Sequence, residues 1–330
     1  MSSSLRAFLR LLLNLKFLLL FPLFSEPLAI LLTLLLVVFF PAARVVLVAY
    51  WTVCFLDPVP YQGGSDFLSR IGLIQKIRGG SWWKEALRFG SISIEKTVDL
   101  PSDKVYLFGY HPHGVIPAGI ANLCTDGSNV SKLFPGIRIQ VVTLKLMWFI
   151  PFWREWMYLH DVTVASRGSI HSSLSRGRSV CVIVGGAEEA LETKSGRMRL
   201  VLRKRKQFFI CAVKAGASLV PTMTFGENEV YNTLSNPPGS PLRRVQDFFM
   251  SAFTFSVPLF YGPVMALPLL PKMVPITTVV GSPIQTTRSD SPSPEYIDQL
   301  QEEYIKGLEK LTEEHKARLG YENLKLEIVA

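Results

Sequence analysis

Apolar patterning divides the chain into an N-terminal tract and a longer segment of alternating elements. From Pro27 to Ala43 no charge interrupts the sequence; Arg44 follows, and Val45 to Leu56 is uncharged again until Asp57. A helix needs about 20 residues to cross roughly 30 Å of hydrocarbon. Each run alone is short, with Pro41 and Arg44 at the junction. One kinked span and a hairpin turning between Pro41 and Arg44 both fit. Basic residues lie on both flanks: Arg6, Arg10 and Lys16 before, then Arg70, Lys76, Arg78, Lys84 and Arg88 after. Lysine and arginine mark the cytosolic side, so both ends belong there and the number of crossings is even. The hairpin is the preferred reading. A cleaved signal peptide fits poorly, because its apolar region runs only about 7–15 residues.

Beyond about residue 100, short apolar runs alternate with helix-sized stretches. Lys104–Phe108, Ile137–Leu144, Ser179–Val184, Ser218–Phe225 and Val274–Val280 read as strands, and Phe208–Ala215 reads as a helix. Strands spaced by helices predict an α/β domain with a mostly parallel sheet and flanking helices. The expected division is 1–56 as a membrane anchor and 57–330 as a cytosolic domain. Between Pro294 and Leu319, apolar residues at Ile297, Leu300, Tyr304, Leu308 and Leu311 mark one face of an amphipathic helix. Phe248–Pro271 is uncharged, but its prolines break any helix. It reads as core, as the wall of a lipid tunnel or as a patch entering the bilayer. The aromatics Trp148, Phe149, Phe152, Trp153, Trp156 and Tyr158 suit either a core or a membrane interface.

Composition sharpens the membrane reading. Of 330 residues 48% are apolar and 18% charged, which excludes a disordered or collagenous chain. Mean hydropathy is +0.28. Lysine and arginine exceed aspartate and glutamate by 35 − 26 = +9. That excess suits an anionic membrane face or a phosphate-bearing ligand. Nucleic acid is not expected, since no reading motif accompanies the charge. Cys54, Cys124, Cys181 and Cys211 lie far apart with no CxxC pair, so they read as free thiols rather than a zinc site or disulfide framework.

Two of the five histidines share His111-Pro112-His113-Gly114, directly after a strand. An imidazole there is placed to act as a general base near neutral pH. A structural pair and a metal site are the alternatives, the latter lacking further ligands at suitable spacing. His160, His171 and His315 have polar neighbours and read as surface residues. Gly185-Gly186-Ala187-Glu188-Glu189 follows another strand; its amides can face an oxyanion, or it is a plain strand-to-helix turn. The run Lys194, Arg197, Arg199, Arg203, Lys204, Arg205 and Lys206 is either a solvated face or a binder of phosphate or lipid headgroups. No G-x-S-x-G elbow occurs; Gly168-Ser169 lacks the second glycine.

Five motifs in order resemble the type-2 diacylglycerol acyltransferase family, which includes monoacylglycerol and wax-alcohol acyltransferases. They are Phe108-Gly109-Tyr110-His111-Pro112-His113-Gly114, Phe134-Pro135-Gly136-Ile137-Arg138, Val184-Gly185-Gly186-Ala187-Glu188-Glu189-Ala190, Leu219-Val220-Pro221 leading to Phe225-Gly226-Glu227-Asn228-Glu229-Val230-Tyr231, and Pro275-Ile276-Thr277-Thr278-Val279-Val280-Gly281. Gln207 stands where the family usually has glycine, and the His-x4-Asp motif of glycerol-phosphate acyltransferases is absent.

The resemblance implies acyl-CoA-dependent esterification of diacylglycerol to triacylglycerol, without an acyl-enzyme. His113, slightly preferred over His111, would take the acceptor proton. The other histidine and Glu189 would orient it, and amides near Gly114 or Gly185-Gly186 would hold the oxyanion. CoA phosphates would meet Arg199, Arg203, Lys204, Arg205 and Lys206. No cofactor or metal is implied, acyl-CoA being a co-substrate. The expected setting is the endoplasmic reticulum membrane, with the lipid droplet as a second location and a homo-oligomer left open. A thioesterase or lipid hydrolase, a monoacylglycerol or alcohol acyltransferase, and a non-catalytic lipid carrier are the competing readings. The topology also makes a prediction. Asn129-Val130-Ser131 is a glycosylation sequon, but on a cytosolic domain it stays unmodified, so glycosidase treatment leaves electrophoretic mobility unchanged.

Overall fold

The structure is a computed structural model that describes residues 25–264 and 270–329. Arg6, Arg10, Lys16 and part of the Phe248–Pro271 segment lie outside the described residues. Among the described residues the first element is the helix Ser25–Phe39, and the helix Pro41–Leu56 follows after a break at Phe40. Proline at the first turn of the second helix cannot donate into the first, so the break falls there. Arg44 Nε donates back to the Val37 carbonyl at 2.8 Å, satisfying the end of the first helix. Residues 41–61 are the described stretch long and apolar enough to cross a membrane by length and composition. Ala29, before the break, packs among Met147, Trp148, Trp153 and Met157. Beyond the break, Trp51 Nε1 donates to the Phe149 carbonyl at 2.9 Å and Tyr50 to Glu155 at 2.9 Å. Both helices thus reach the same aromatic segment, within which Trp148 and Trp153 are buried and Phe152 is exposed.

The domain is built on a seven-stranded sheet in the order β1-β10-β7-β2-β5-β3-β4. In chain order the strands are β1 (Ile92–Lys96), β2 (Tyr106–His111), β3 (Ile139–Thr143), β4 (Thr163–Val164), β5 (Ser179–Ile183), β6 (Met198–Val201), β7 (Ser218–Phe225), β8 (Asn232–Thr233), β9 (Phe260–Tyr261), β10 (Ile276–Val280) and β11 (Leu326–Val329). Pairing is parallel throughout the sheet except between β10 and β7. β6 pairs in parallel with β11, and β8 pairs with β9, in separate two-stranded ribbons. All five strands read from the sequence are present. β1, which precedes residue 100, is an addition, paired with β10 from Ile92↔Ile276 to Lys96↔Val280.

β2 lies at the centre between β7 and β5, and all six of its residues are buried. It runs longer than its apolar stretch, because pairing with β7 continues to His111↔Met223. Successive side chains alternate faces. Leu107 packs with Phe208, Phe209 and Tyr304 on one face, while Tyr106, Phe108 and Tyr110 pack with Ile120 and Leu123 on the other. The helices Lys206–Ala215 and Pro294–Lys316 cover the first face, and the buried Ile297, Leu300, Tyr304, Leu308 and Leu311 are the stripe expected from their spacing. The helix Pro241–Phe253 leaves Val245 and Phe248 exposed, so this part of the uncharged segment is surface and not core.

One buried charge ties the N-terminal helices to the sheet. Asp161, fully buried, receives Arg138 at 2.5 Å, Gln140 Nε2 at 2.7 Å and Arg78 at 3.9 Å. Arg78 also donates to the carbonyls of Ile139 and Leu123, each at 2.9 Å. Removing one member of a buried pair leaves an uncompensated charge, at a cost of about 3–5 kcal/mol. Asp161→Ala is therefore expected to lower unfolding stability by that amount, read as a shift in the denaturation midpoint of the full chain.

Candidate active site

His111 and His113 leave the carboxyl end of β2 in opposite environments. His111 is the last residue of the strand and is fully buried. Tyr304 O–H donates to the Gly109 carbonyl at 3.1 Å, and its oxygen lies 3.1 Å from His111 Nε2. The hydroxyl has one hydrogen, so the His111 Nε2–H donates to Tyr304 and Nδ1 carries the lone pair. Nδ1 has no partner, and burial pulls the pKa down to about 3. His111 is thus a neutral ring fastening β2 to the 294–316 helix. The expectation of two imidazoles side by side after the strand gives way to one inside it and one beyond it.

His113 follows a cis His111–Pro112 bond and is only partly exposed. Its Nδ1 lies 3.0 Å from the Gly114 carbonyl. A carbonyl only accepts, so Nδ1 carries the hydrogen and Nε2 presents its lone pair. Burial lowers the His113 pKa below 6.5, against the opposing pull of the Gly114 hydrogen bond, so the ring is neutral at pH 7.

Two carboxylates clamp this turn from either side. Glu189 follows β5, Glu227 follows β7, and those strands flank β2. Glu189 Oε1 accepts the backbone N–H of His113 at 2.6 Å, and Oε2 that of Val201 at 2.9 Å. It therefore holds the backbone of the turn, not the imidazole ring. Glu227 accepts the N–H of Ala118 at 2.6 Å, that of Gly119 at 3.0 Å and the Tyr110 hydroxyl. Burial raises both acids to about 7, while the donated hydrogen bonds pull the other way. Both approaches depend on glycine. A Cβ on Gly185 would sit 2.0 Å from Glu189 Oε2; one on Gly114, where φ is +65°, would sit 2.8 Å from Glu227 Cγ. Gly186, with φ +60°, opens the helix Gly186–Glu192.

Five members of the basic run pair with acids, while Lys194 donates to the Thr233 hydroxyl and the Leu234 carbonyl. Arg199 pairs with Glu192 and Glu327, Arg203 with Glu302 at 2.6 Å, Lys204 with Glu188, and Lys206 with Asp298. Arg205 pairs with Glu188 at 3.2 Å and donates to the Gly185 carbonyl at 2.7 Å, steadying the Gly-Gly turn. Arg203, Lys204 and Lys206 remain more exposed than Arg199 and Arg205.

An apolar hollow of about 100 Å³ opens past the ends of β3 and β5. Neither His111 nor His113 lines it. Its wall includes Pro117, four positions after His113, and Ile183, which pairs with Tyr110. His160 also lines it; this residue is buried, contrary to the surface position expected from its neighbours, because the adjacent Asp161 turns inward to its arginines. Glu227 and Tyr304 were not singled out from the sequence as site residues. The signal for Glu227 was available: it is an acid directly after a strand and a Gly, as in the Gly-Gly turn. Among the described residues, no cluster of three His, Cys, Asp or Glu side chains could hold a metal ion.

Comparisons with known proteins place the chain in a family. The diacylglycerol acyltransferase family model matches residues 36–329. Diacylglycerol O-acyltransferase 1 of Schizosaccharomyces pombe is 38% identical over 231 residues, 68% of this chain and 67% of that protein. 2-Acylglycerol O-acyltransferase 1 of Mus musculus is 38% identical over 249 residues, 73% and 74%. Acyl-CoA wax alcohol acyltransferase 1 of Homo sapiens is 38% identical over 250 residues, 74% and 76%. A looser likeness, TM-score 0.43 at 13% identity over 90% of this chain and 97% of that one, is to a 1-acyl-sn-glycerophosphate acyltransferase of Thermotoga maritima. The chain belongs to the diacylglycerol acyltransferase family and is an acyltransferase.

Glu189→Gln keeps one acceptor for the amides and turns an NH2 toward the other. We expect kcat to fall about 100-fold with little change in the acyl-CoA KM, the pattern of lost transition-state positioning. An ionisation near pH 7 should also leave the kcat profile of the variant. A purely structural role would not move that ionisation.

Proposed function

We propose that the chain transfers an acyl group from acyl-CoA to the hydroxyl of a neutral lipid, with diacylglycerol to triacylglycerol as the leading reaction, at a membrane surface. The single observation that carries this is the His113 turn: backbone fixed by Glu189, Nδ1–H turned to Gly114, and a free Nε2 lone pair. Nε2 takes the proton from the acceptor hydroxyl as its oxygen attacks the thioester carbonyl. The tetrahedral oxyanion forms, the C–S bond breaks, and the imidazolium returns the proton to the leaving thiolate. Ester and CoA thiol result, with no acyl-enzyme. The His113 amide is occupied by Glu189, so the amides of Gly114 and Val115, which have no hydrogen-bond partner among the described residues, are the donors assigned here to the oxyanion.

Acyl-CoA phosphates bind over Arg203, Lys204 and Lys206. Their present partners form solvent-facing pairs worth about 0–1 kcal/mol. A pyrophosphate can displace such pairs; Arg199 and Arg205, less exposed, keep the loop in shape. The helices 25–39 and 41–56 form a membrane-embedded hairpin, both arms returning to the 145–159 segment. Their exposed residues include Val45 and Phe55, 74% and 73% accessible. The expected setting is the endoplasmic reticulum, with the domain in the cytosol.

The test is synthesis of triacylglycerol by purified full-length protein from acyl-CoA and diacylglycerol. His113→Ala should reduce kcat about 100- to 10,000-fold, the usual share of a general base. Hydroxylamine should trap no acyl-protein. Free fatty acid released at full rate without acceptor would establish a thioesterase instead.

A further inference from the structure

Five cations of the basic run pair with acids, but those of a neighbouring groove do not. The helix Arg167–Ser175 packs beside Lys206–Ala215, and a groove of about 620 Å³ lies along them, with Asp290 and Ser291 of the loop before Pro294–Lys316 in its wall. Arg167, His171 and Lys214 line this groove and are exposed. None of the three has a hydrogen-bond or ion-pair partner among the described residues. Arg167 and Lys214 bear on one point: burial pushes the Cys211 thiol of the groove up, and both cations pull it back. Asp290 shares the groove and pairs with neither cation, so its carboxylate stops short of them.

The loop offers a longer arm one residue on. Residues 285–293 form neither helix nor strand, and the Ser289 N–H ties them to the Val213 carbonyl at 3.2 Å. Ser291 is exposed, and its hydroxyl has no partner among the described residues. Pro292 follows it, and a residue before proline is held extended, the form in which a kinase cleft takes a peptide. Ser293 also precedes a proline, but its oxygen accepts the Tyr296 N–H at 3.2 Å as the helix cap. We propose that Ser291 is a phosphorylation site for a protein kinase that reads the following proline, and that its phosphate docks in the groove on Arg167, Lys214 and His171 of the same chain. Ser291 Oγ bonds to the γ-phosphorus of ATP, the bond to the bridging oxygen breaks, ADP leaves, and the hydroxyl proton passes to the kinase's base. The product carries about −1.5 to −2 charge on three acceptor oxygens. They stand one bond further from the backbone than those of Asp290, and arginine and lysine gain charge-assisted hydrogen bonds to them. Gln207 of the groove directly follows Lys206, so the added charge also weakens the pull of the basic run on acyl-CoA phosphates. Access to ATP rests on the cytosolic placement proposed above, and the effect on acyl-CoA on the acyltransferase reading; the docking rests on neither.

The experiment uses the full chain in detergent. Incubation with ATP and a proline-directed protein kinase, followed by mass spectrometry, should place phosphate on Ser291. A chain carrying phosphoserine installed at that position during synthesis is then titrated by phosphorus NMR. In denaturant the second ionisation of the phosphate lies near pH 6, about its ordinary value. In the folded chain the two cations favour the dianion, so the midpoint should fall to about pH 5. Arg167→Gln with Lys214→Gln, both at exposed positions where substitution leaves a fold intact, should return it to about pH 6. With diacylglycerol as acceptor, phosphorylation should raise the acyl-CoA KM about threefold at low salt with kcat unchanged, and the difference should vanish near 1 M salt. Phosphate on Ser293 and not on Ser291 would overturn the site. A midpoint that stays near pH 6 on folding, or that the double variant does not move, would overturn the docking. A moved midpoint with an unchanged KM removes the effect on acyl-CoA alone; no ester from any chain removes the acyltransferase reading and leaves the docked phosphate standing.

Discussion

The site depends on two buried carboxylates whose oxygens are taken up by the protein's own donors. Glu189 and Glu227 emerge after the strands on either side of β2, and each gives at least one oxygen to the backbone of the chain leaving it, Glu189 also holding Val201 and Glu227 the Tyr110 hydroxyl. Each buried acid would be costly alone. Each is repaired by hydrogen bonds to a charged acceptor, worth about 1.5–3 kcal/mol apiece. The result is a turn whose shape is set by the sheet beneath it and not by its own sequence. A base on such a turn needs little reorganisation when the reaction begins, and positioning of this kind can supply several kcal/mol of a barrier. Gly114 and Gly185 belong to the same constraint: they are small because a carboxylate occupies the space a side chain would fill.

The same logic separates the two histidines. Two imidazoles two residues apart in sequence invite a shared role. Burial decides otherwise. The last rung of β2 pairing carries His111 beneath the 294–316 helix, where Tyr304 takes its one donor. Only His113, past the end of the ladder, keeps a lone pair near the surface. The distinction was not legible in the sequence, because it turns on how far β7 extends alongside β2.

Much of the scaffold was legible, for physical reasons. Short apolar runs bounded by turns mark buried parallel strands, and the 3- and 4-residue steps from Ile297 to Leu311 mark a helix face. β1 escaped because Ile92–Lys96 alternates only briefly and becomes a strand through pairing with β10, some 180 residues away. The ion pairs of the basic run could not be read from its charge alone. Three of its acids, Glu302, Asp298 and Glu327, come from the C-terminal helix and strand, while Glu188 and Glu192 lie just upstream. His160 was misread because polar neighbours suggest solvent, whereas Asp161 beside it is drawn inward by Arg78 and Arg138.

The anchor and the site pose one problem of solvent. An acyl chain gains about 0.8 kcal/mol for each CH2 kept out of water. A soluble enzyme would forfeit that gain each time it withdrew a lipid from the bilayer. In the proposed arrangement the hairpin arms end on the aromatic segment around Trp148 and Trp153, whose far side walls the hollow behind the catalytic turn. The chain then passes from bilayer to protein between two apolar surroundings. CoA, polar and phosphorylated, approaches from water over exposed lysine and arginine. In that proposed arrangement, ester formation at the meeting of the two routes calls for a base that is neutral and held in place, the part proposed for His113 on its clamped turn.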